Sequence, residues 1–156
     1  MIITTLKDLI LSQLKLKHNS IHGIKHWEYV ERVGLLLADQ TKTNKTVIQL
    51  FAYLHDCQRL NDDYDPDHGL RAAEYVDVLY KQGKLQINTG ELETLKFTCR
   101  YHNDRTIKSA DKTVQICWDS DRIDLTRIGV DPKTIVLETD EAKRYIEQHI
   151  FISSIG

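Results

Sequence analysis

Proline and glycine are scarce in this chain: two and seven among 156 residues, with no cluster of either. Their scarcity excludes collagen-like, low-complexity and long linker segments, and it leaves no shift of composition at which to divide the chain. One domain over 1–156 is therefore expected, long enough to bury one sizeable core. Cysteine is scarce too. Cys57, Cys99 and Cys117 are odd in number and form no C-x-x-C, so reduced thiols in a cytoplasmic protein are the expectation. An excess of positive charge is missing: 21 Lys and Arg face 23 Asp and Glu, a net charge of −2. No basic field is left to hold a nucleic-acid polymer. No apolar run approaches the roughly 20 residues of a membrane span, so no membrane partner is expected. The opening MIITTLKDLI carries charge early and lacks a small-residue cleavage site, so it does not read as a signal peptide. What remains, 41% hydrophobic and 28% charged residues, is the balance of an ordinary globular protein.

The strict alternation of a half-buried strand is also lacking, and helical periodicity dominates. A first amphipathic helix is expected over about 3–17, on Leu6, Leu9, Ile10 and Leu14. Ser20 offers a cap for a second, running to about 38 with Trp27, Val30, Val33 and Leu37 on one face. A third spans about 44–57, and 59–67 is a polar loop. Asp65-Pro66 reads as an N-cap followed by proline at the first helical position of a fourth helix that stops near Gly83. A fifth covers about 89–102 and a sixth about 111–127, with Gly129 and Pro132 just beyond. Thr139 caps a last short helix. The expected fold is an all-α bundle of six or seven helices.

Against this background a few polar residues stand on apolar stripes. His26 heads the stripe Val30, Val33, Leu37; His55 follows Ile48, Phe51 and Ala52; Asp121 lies with Val114, Cys117, Trp118 and Leu125. A single buried His is more often a hydrogen-bonded core residue, and a single buried Asp a cap or ion-pair partner. That explanation would have to be repeated on three helices. An ionised Asp facing a core costs several kcal/mol unless a cation compensates it. Two His and two Asp (His26, His55, Asp56 and Asp121) converging on one point are most simply accounted for by a divalent metal ion. Neighbours on a helix point about 100° apart, so His55 and Asp56 can address one ion only beside a helix end.

The segments HGIKHWEYVERV with His26, LFAYLHDCQRL with His55 and Asp56, and CWDSDRIDL with Asp121 resemble, in that order, the H…HD…D pattern of the HD superfamily of metal-dependent phosphohydrolases. The resemblance covers about 20–130. It implies an all-α HD-domain fold, a divalent metal at a helix junction, and hydrolysis of a phosphate ester or anhydride, often in a nucleotide. His26 matches the family pattern better than His22, which lies one turn away on the same face. Asp121, followed by Arg122 and Ile123, matches better than Asp119. His22, Asp119 and Asp124 then become candidates to orient ligands or touch substrate. Some subfamilies add two histidines and a second metal; His68 and His102 are the candidates here, although the stretch from Asp56 to His68 is short.

The mixed nitrogen and oxygen donors suit Mn²⁺, Fe²⁺, Ni²⁺ or Zn²⁺, and Mg²⁺ less readily. Arg59, three residues past Asp56, and Arg122, directly after Asp121, are candidates to hold a substrate phosphate. The partner expected is a small phosphorylated molecule, with a nucleotide among the choices. A homodimer through the first or last helix stays an open alternative. His18 and His149 have no acidic or His partner at ligand spacing and are expected at the surface. Two rivals remain: a di-iron oxygenase on the same fold, which would use His68 and His102, and a non-catalytic regulatory domain that binds a nucleotide.

Overall fold

The computed structural model describes residues 2–17, 19–39 and 41–151; His18 lies outside the described residues. Seven α-helices are present among the described residues: α1 Ile2–Ser12, α2 Ile24–Ala38, α3 Lys45–Leu54, α4 His68–Lys81, α5 Thr89–Tyr101, α6 Lys112–Ile123 and α7 Asp140–Ile146. Short 3₁₀ turns at Asp124–Ile128 and Pro132–Thr134 and a π turn at Glu147–Phe151 complete the order, and no strand occurs among the described residues. The fold is all-α, as the periodicity predicts. None of these helices is long and apolar enough to cross a membrane.

Several caps are legible in the residue types. Asn44 accepts from the Val47 amide, Asp111 from Thr113, and Thr139 from Ala142. Asn88 and Glu91 form a reciprocal capping box at the start of α5. Other boundaries differ from expectation. The first helix stops at Ser12, short of 17. Ser20 caps no helix. Its hydroxyl accepts from the His22 amide and donates to Asp62, so it shapes the turn ahead of α2, which starts behind Gly23. Asp65 does not cap at Pro66 either. Its carboxylate takes the Leu60 amide and the Arg71 guanidinium, charge-assisted bonds that fold the polar loop back, and α4 begins at His68. The sixth helix tightens to 3₁₀ after Ile123 and ends where Gly129 takes φ 93, in the left-handed region.

The core is one continuous cluster. Trp27, Phe51, Leu54, Leu79, Leu95, Ile116 and Trp118 are essentially fully buried in it. Each such side chain contributes roughly 1.5–3 kcal/mol by leaving water. Trp118 also donates its indole N–H to Thr98 O at 3.0 Å, which ties α6 to α5. Helix α2 packs on both α3 and α6, and α4 packs mainly on α5. The three cysteines are free and buried, and burial pushes the Cys57 thiol up to about 12, so it stays protonated and inert.

Two glycines set close approaches. A Cβ at Gly34 would stand 2.8 Å from Ile48 Cγ2. A Cβ at Gly69 would stand 2.6 Å from Arg100 O and 2.8 Å from Cys99 O, which are backbone atoms that cannot swing aside. Gly69 follows His68, so this contact also fixes how close the start of α4 comes to the end of α5. Gly69→Ala should lower stability by about 1–3 kcal/mol in urea unfolding through overpacking. An unchanged unfolding midpoint would show that α4 and α5 are free to separate.

Candidate metal centre

The ends of five helices meet at one place. His26 sits in the first turn of α2, and His55 and Asp56 lie just past the end of α3. His68 opens α4, His102 follows the last residue of α5, and Asp121 lies in the last turn of α6. Because α3 stops at Leu54, the chain turns at His55–Asp56, and both side chains reach the same point.

Asp56 divides the cluster. His26 Nε2 lies 3.0 Å from His55 Nε2, 3.2 Å from Asp121 Oδ1 and 3.5 Å from Asp56 Oδ2. His55 Nε2 is 3.4 Å from Asp121 Oδ1 and 3.5 Å from Asp56 Oδ2. On the other side of the same carboxylate, Asp56 Oδ1 lies 3.2 Å from His68 Nε2 and 3.4 Å from His102 Nε2, and those two nitrogens are 2.9 Å apart. Hence His68 and His102 join the group through Asp56 despite the short connection, because Asp65 and Arg71 fold the loop between them tightly. His22 Nδ1 meets Asp56 Oδ2 at 3.0 Å.

The second nitrogen of each ring decides what the first can do. His55 Nδ1 donates to Phe51 O at 2.9 Å, His68 Nδ1 to Asp65 O at 2.5 Å, and His102 Nδ1 to Cys99 O at 2.6 Å. Carbonyls only accept, so the proton is on Nδ1, and in the neutral ring Nε2 is left with a lone pair. His26 Nδ1 meets Asp124 Oδ2 at 2.6 Å, with the same consequence. Four Nε2 atoms and two carboxylates thus face one another, and a neutral ring has no Nε2 proton to share among them. Ligands bonded at ~2.1 Å to a common ion lie about 3.0–3.4 Å from each other, for octahedral and tetrahedral angles respectively. The observed separations, 2.9 to 3.5 Å, match that range to within 0.1 Å, so the donor set fits a divalent cation. Backbone carbonyls or carboxylates holding the far nitrogen are the usual outer support of such ligands.

The charges agree with this arrangement. Burial works against charge on Asp56, but the surrounding imidazoles of His55, His102, His22 and His68 outweigh it and hold the carboxyl well below its ordinary range. Asp121 is depressed likewise: burial opposes, and His55 and His26 prevail. Burial also opposes charging of His26, yet bonds to Asp121 and Asp124 raise it to about 10. Burial lowers His102. Arg127 grips Asp124 through Nε at 3.0 and 3.1 Å and Nη2 at 2.9 Å, so a chain of contacts runs Arg127–Asp124–His26.

Other residues singled out by sequence fall elsewhere. Asp119 is turned away from the centre. It accepts from the Glu138 and Thr139 amides, both at 2.8 Å, and from the Thr139 hydroxyl at 2.7 Å, which pins the start of α7 to α6. Arg122 is buried, ion-paired to Glu138 at 3.3 Å and set over the Trp118 ring. Arg59 bonds Asp56 Oδ1 at 3.2 Å and the Asn61 and Asp63 carbonyls, so it braces the centre from behind. His149 is exposed and stacks on Tyr145. The cation that sequence reasoning missed is Arg105, three residues past His102. It is exposed, borders the cavity over the centre, and has no carboxylate partner among the described residues. Nothing in its loop sequence marks it.

Neither a scan of protein-family models nor a search of curated proteins finds a match to this chain. A solved structure does match: the crystal structure of a predicted HD superfamily hydrolase from an uncultured Thermotogales bacterium. The two superpose with a TM-score of 0.70 over 97% of this chain and 87% of that one, at 22% sequence identity. The chain has an HD-domain fold.

A cation entering at His26 Nε2 must displace the proton that His26 otherwise keeps up to about 10. Affinity should therefore rise with pH, by about tenfold per unit between pH 6 and 8 for each proton released. Calorimetric titration with Mn²⁺ in two buffers of different ionisation enthalpy measures both quantities. A pH-independent affinity with no proton release would contradict the assignment of His26.

Proposed function

We propose that the chain is a metal-dependent phosphohydrolase acting on a phosphate ester or anhydride of a small molecule, with nucleotides among the candidates. The observation that carries this reading is the convergence of four imidazole Nε2 atoms on the two oxygens of Asp56 and on Asp121. The H…HD…D resemblance and the fold shared with a predicted HD superfamily hydrolase support it. His26, His55, Asp56 and Asp121 would hold one divalent ion. His68 and His102, with the second oxygen of Asp56, would hold another.

Such ions, when bound, lower the pKa of water and neutralise charge on phosphoryl oxygens. The chain's own groups do the rest. Asp124, gripped by Arg127, fixes the ring of His26. Arg59 and His22 fix the plane of Asp56. His22 also borders the cavity, where it would pass a proton to a leaving oxygen. Arg105 offers a guanidinium with no carboxylate partner among the described residues, in place of Arg59 and Arg122, which have other partners.

A second reading rests on the same six residues. Four His and two Asp, with Asp56 shared, are also the complement that a di-iron oxygenase would need. Two irons per chain and substrate-dependent oxygen uptake would favour it over hydrolysis.

Asp56→Ala should reduce metal-dependent hydrolysis across a panel of nucleotides and phosphoesters by about a thousandfold or more, since both halves of the cluster lose a shared ligand. Helicity by circular dichroism should stay near wild type, because Asp56 follows α3 rather than building it. A fully active Asp56→Ala protein would sink the assignment.

A further inference from the structure

The cavity over the centre is small, ≈ 200 Å³, below the roughly 300 Å³ at which small-molecule pockets usually begin. It holds a phosphoryl group and a few atoms more, so a bulky organic part of a substrate must extend beyond it. Two clefts leave it, from different ends. At the His22–His26 end, past Ile21 and Arg127, it meets a cleft of ≈ 590 Å³ bordered by Ile24 and Lys25. At the His68–His102 end, past Asn103 and Arg105, it meets a cleft of ≈ 540 Å³ bordered by Asp67, Leu70 and Arg100. Asp56 stands between, with Oδ2 toward His22 and His26 and Oδ1 toward His68 and His102.

A phosphate monoester has one organic substituent and would use one cleft. From this geometry we infer that the preferred substrate is a phosphodiester, its phosphorus over Asp56 and one substituent in each cleft. The inference rests on the phosphohydrolase reading. Charge supports it. A diester brings one negative charge to the centre, a monoester two, and a triphosphate more. Of the four arginines bordering the cavity, Arg59, Arg122 and Arg127 are paired with carboxylates, and only Arg105 is not, among the described residues. Lys25 and Arg100 lie further out, on the borders of the two clefts. In the reaction, water oxygen bonds to phosphorus and one P–O ester bond breaks. One proton of the water ends on the departing alcohol, the other on the phosphate monoester that remains.

The test uses the full chain loaded with Mn²⁺ and two chromogenic esters, bis(p-nitrophenyl) phosphate and p-nitrophenyl phosphate. The diester should be preferred by about tenfold or more in kcat/KM. Lys25→Trp and Asp67→Trp each narrow one cleft from an exposed position outside the centre. Each should lower diester kcat/KM by about fivefold and leave monoester turnover, whose single substituent the other cleft still accepts, within about twofold. A monoester preferred over the diester, or a diester rate indifferent to both tryptophans, would overturn the inference while leaving the phosphohydrolase reading intact. Hydrolysis of a nucleotide anhydride but of neither ester would overturn the inference alone, and no hydrolysis of any of them by metal-loaded protein would overturn both.

Discussion

Asp56 carries a buried negative charge at a point where no protein cation fully neutralises it. Two imidazole Nε2 atoms stand against each of its oxygens, and Arg59 supplies only one N–H from behind. A carboxylate so placed costs several kcal/mol unless positive charge arrives. Left to itself, the cluster recruits a proton onto His26 and holds Asp121 and Asp56 ionised. A divalent cation satisfies the same deficit with donors that are already aimed.

The architecture follows from that requirement. Side chains in the middle of packed helices point into the core or into solvent, whereas those at helix ends can turn toward a common point. Five helix termini supply the six donors, and the close packing at Gly69 sets the spacing between the two that carry His68 and His102. Around them stands a layer of groups that touch no second site of their own: Asp124 and Arg127 behind His26, backbone carbonyls behind the other three rings, and Arg59 behind Asp56. Such outer contacts fix tautomer and ring orientation, and so decide which nitrogen faces inward.

The helices and the inward direction of His26, His55 and Asp121 were legible because apolar residues recur at helical spacing beside them. The position of Asp119 follows from the same geometry. Two residues from Asp121 along a helix, it points about 200° away and meets α7 instead. Arg122, one residue on, points about 100° away and meets Glu138; nearness in sequence to a ligand says nothing about direction. His68 and His102 were harder to place, since the path of the loop from Asp56 to His68 depends on the Asp65–Arg71 pair, whose partners the sequence does not announce. Ser20 and Asp65 have the right chemistry for helix caps but found stronger partners in the fold. Arg105 sits in an exposed loop without periodicity, and only the assembled cavity makes it stand out.

The central claim is that this cluster holds divalent cations. The most direct measurement is the metal content, by mass spectrometry, of protein purified without chelator or affinity resin, for wild type and Asp121→Ala. The account predicts one or two divalent ions per wild-type chain and at least one fewer in the variant. Wild-type protein that binds no metal, even after reconstitution with Mn²⁺, Fe²⁺, Ni²⁺ or Zn²⁺, would contradict it.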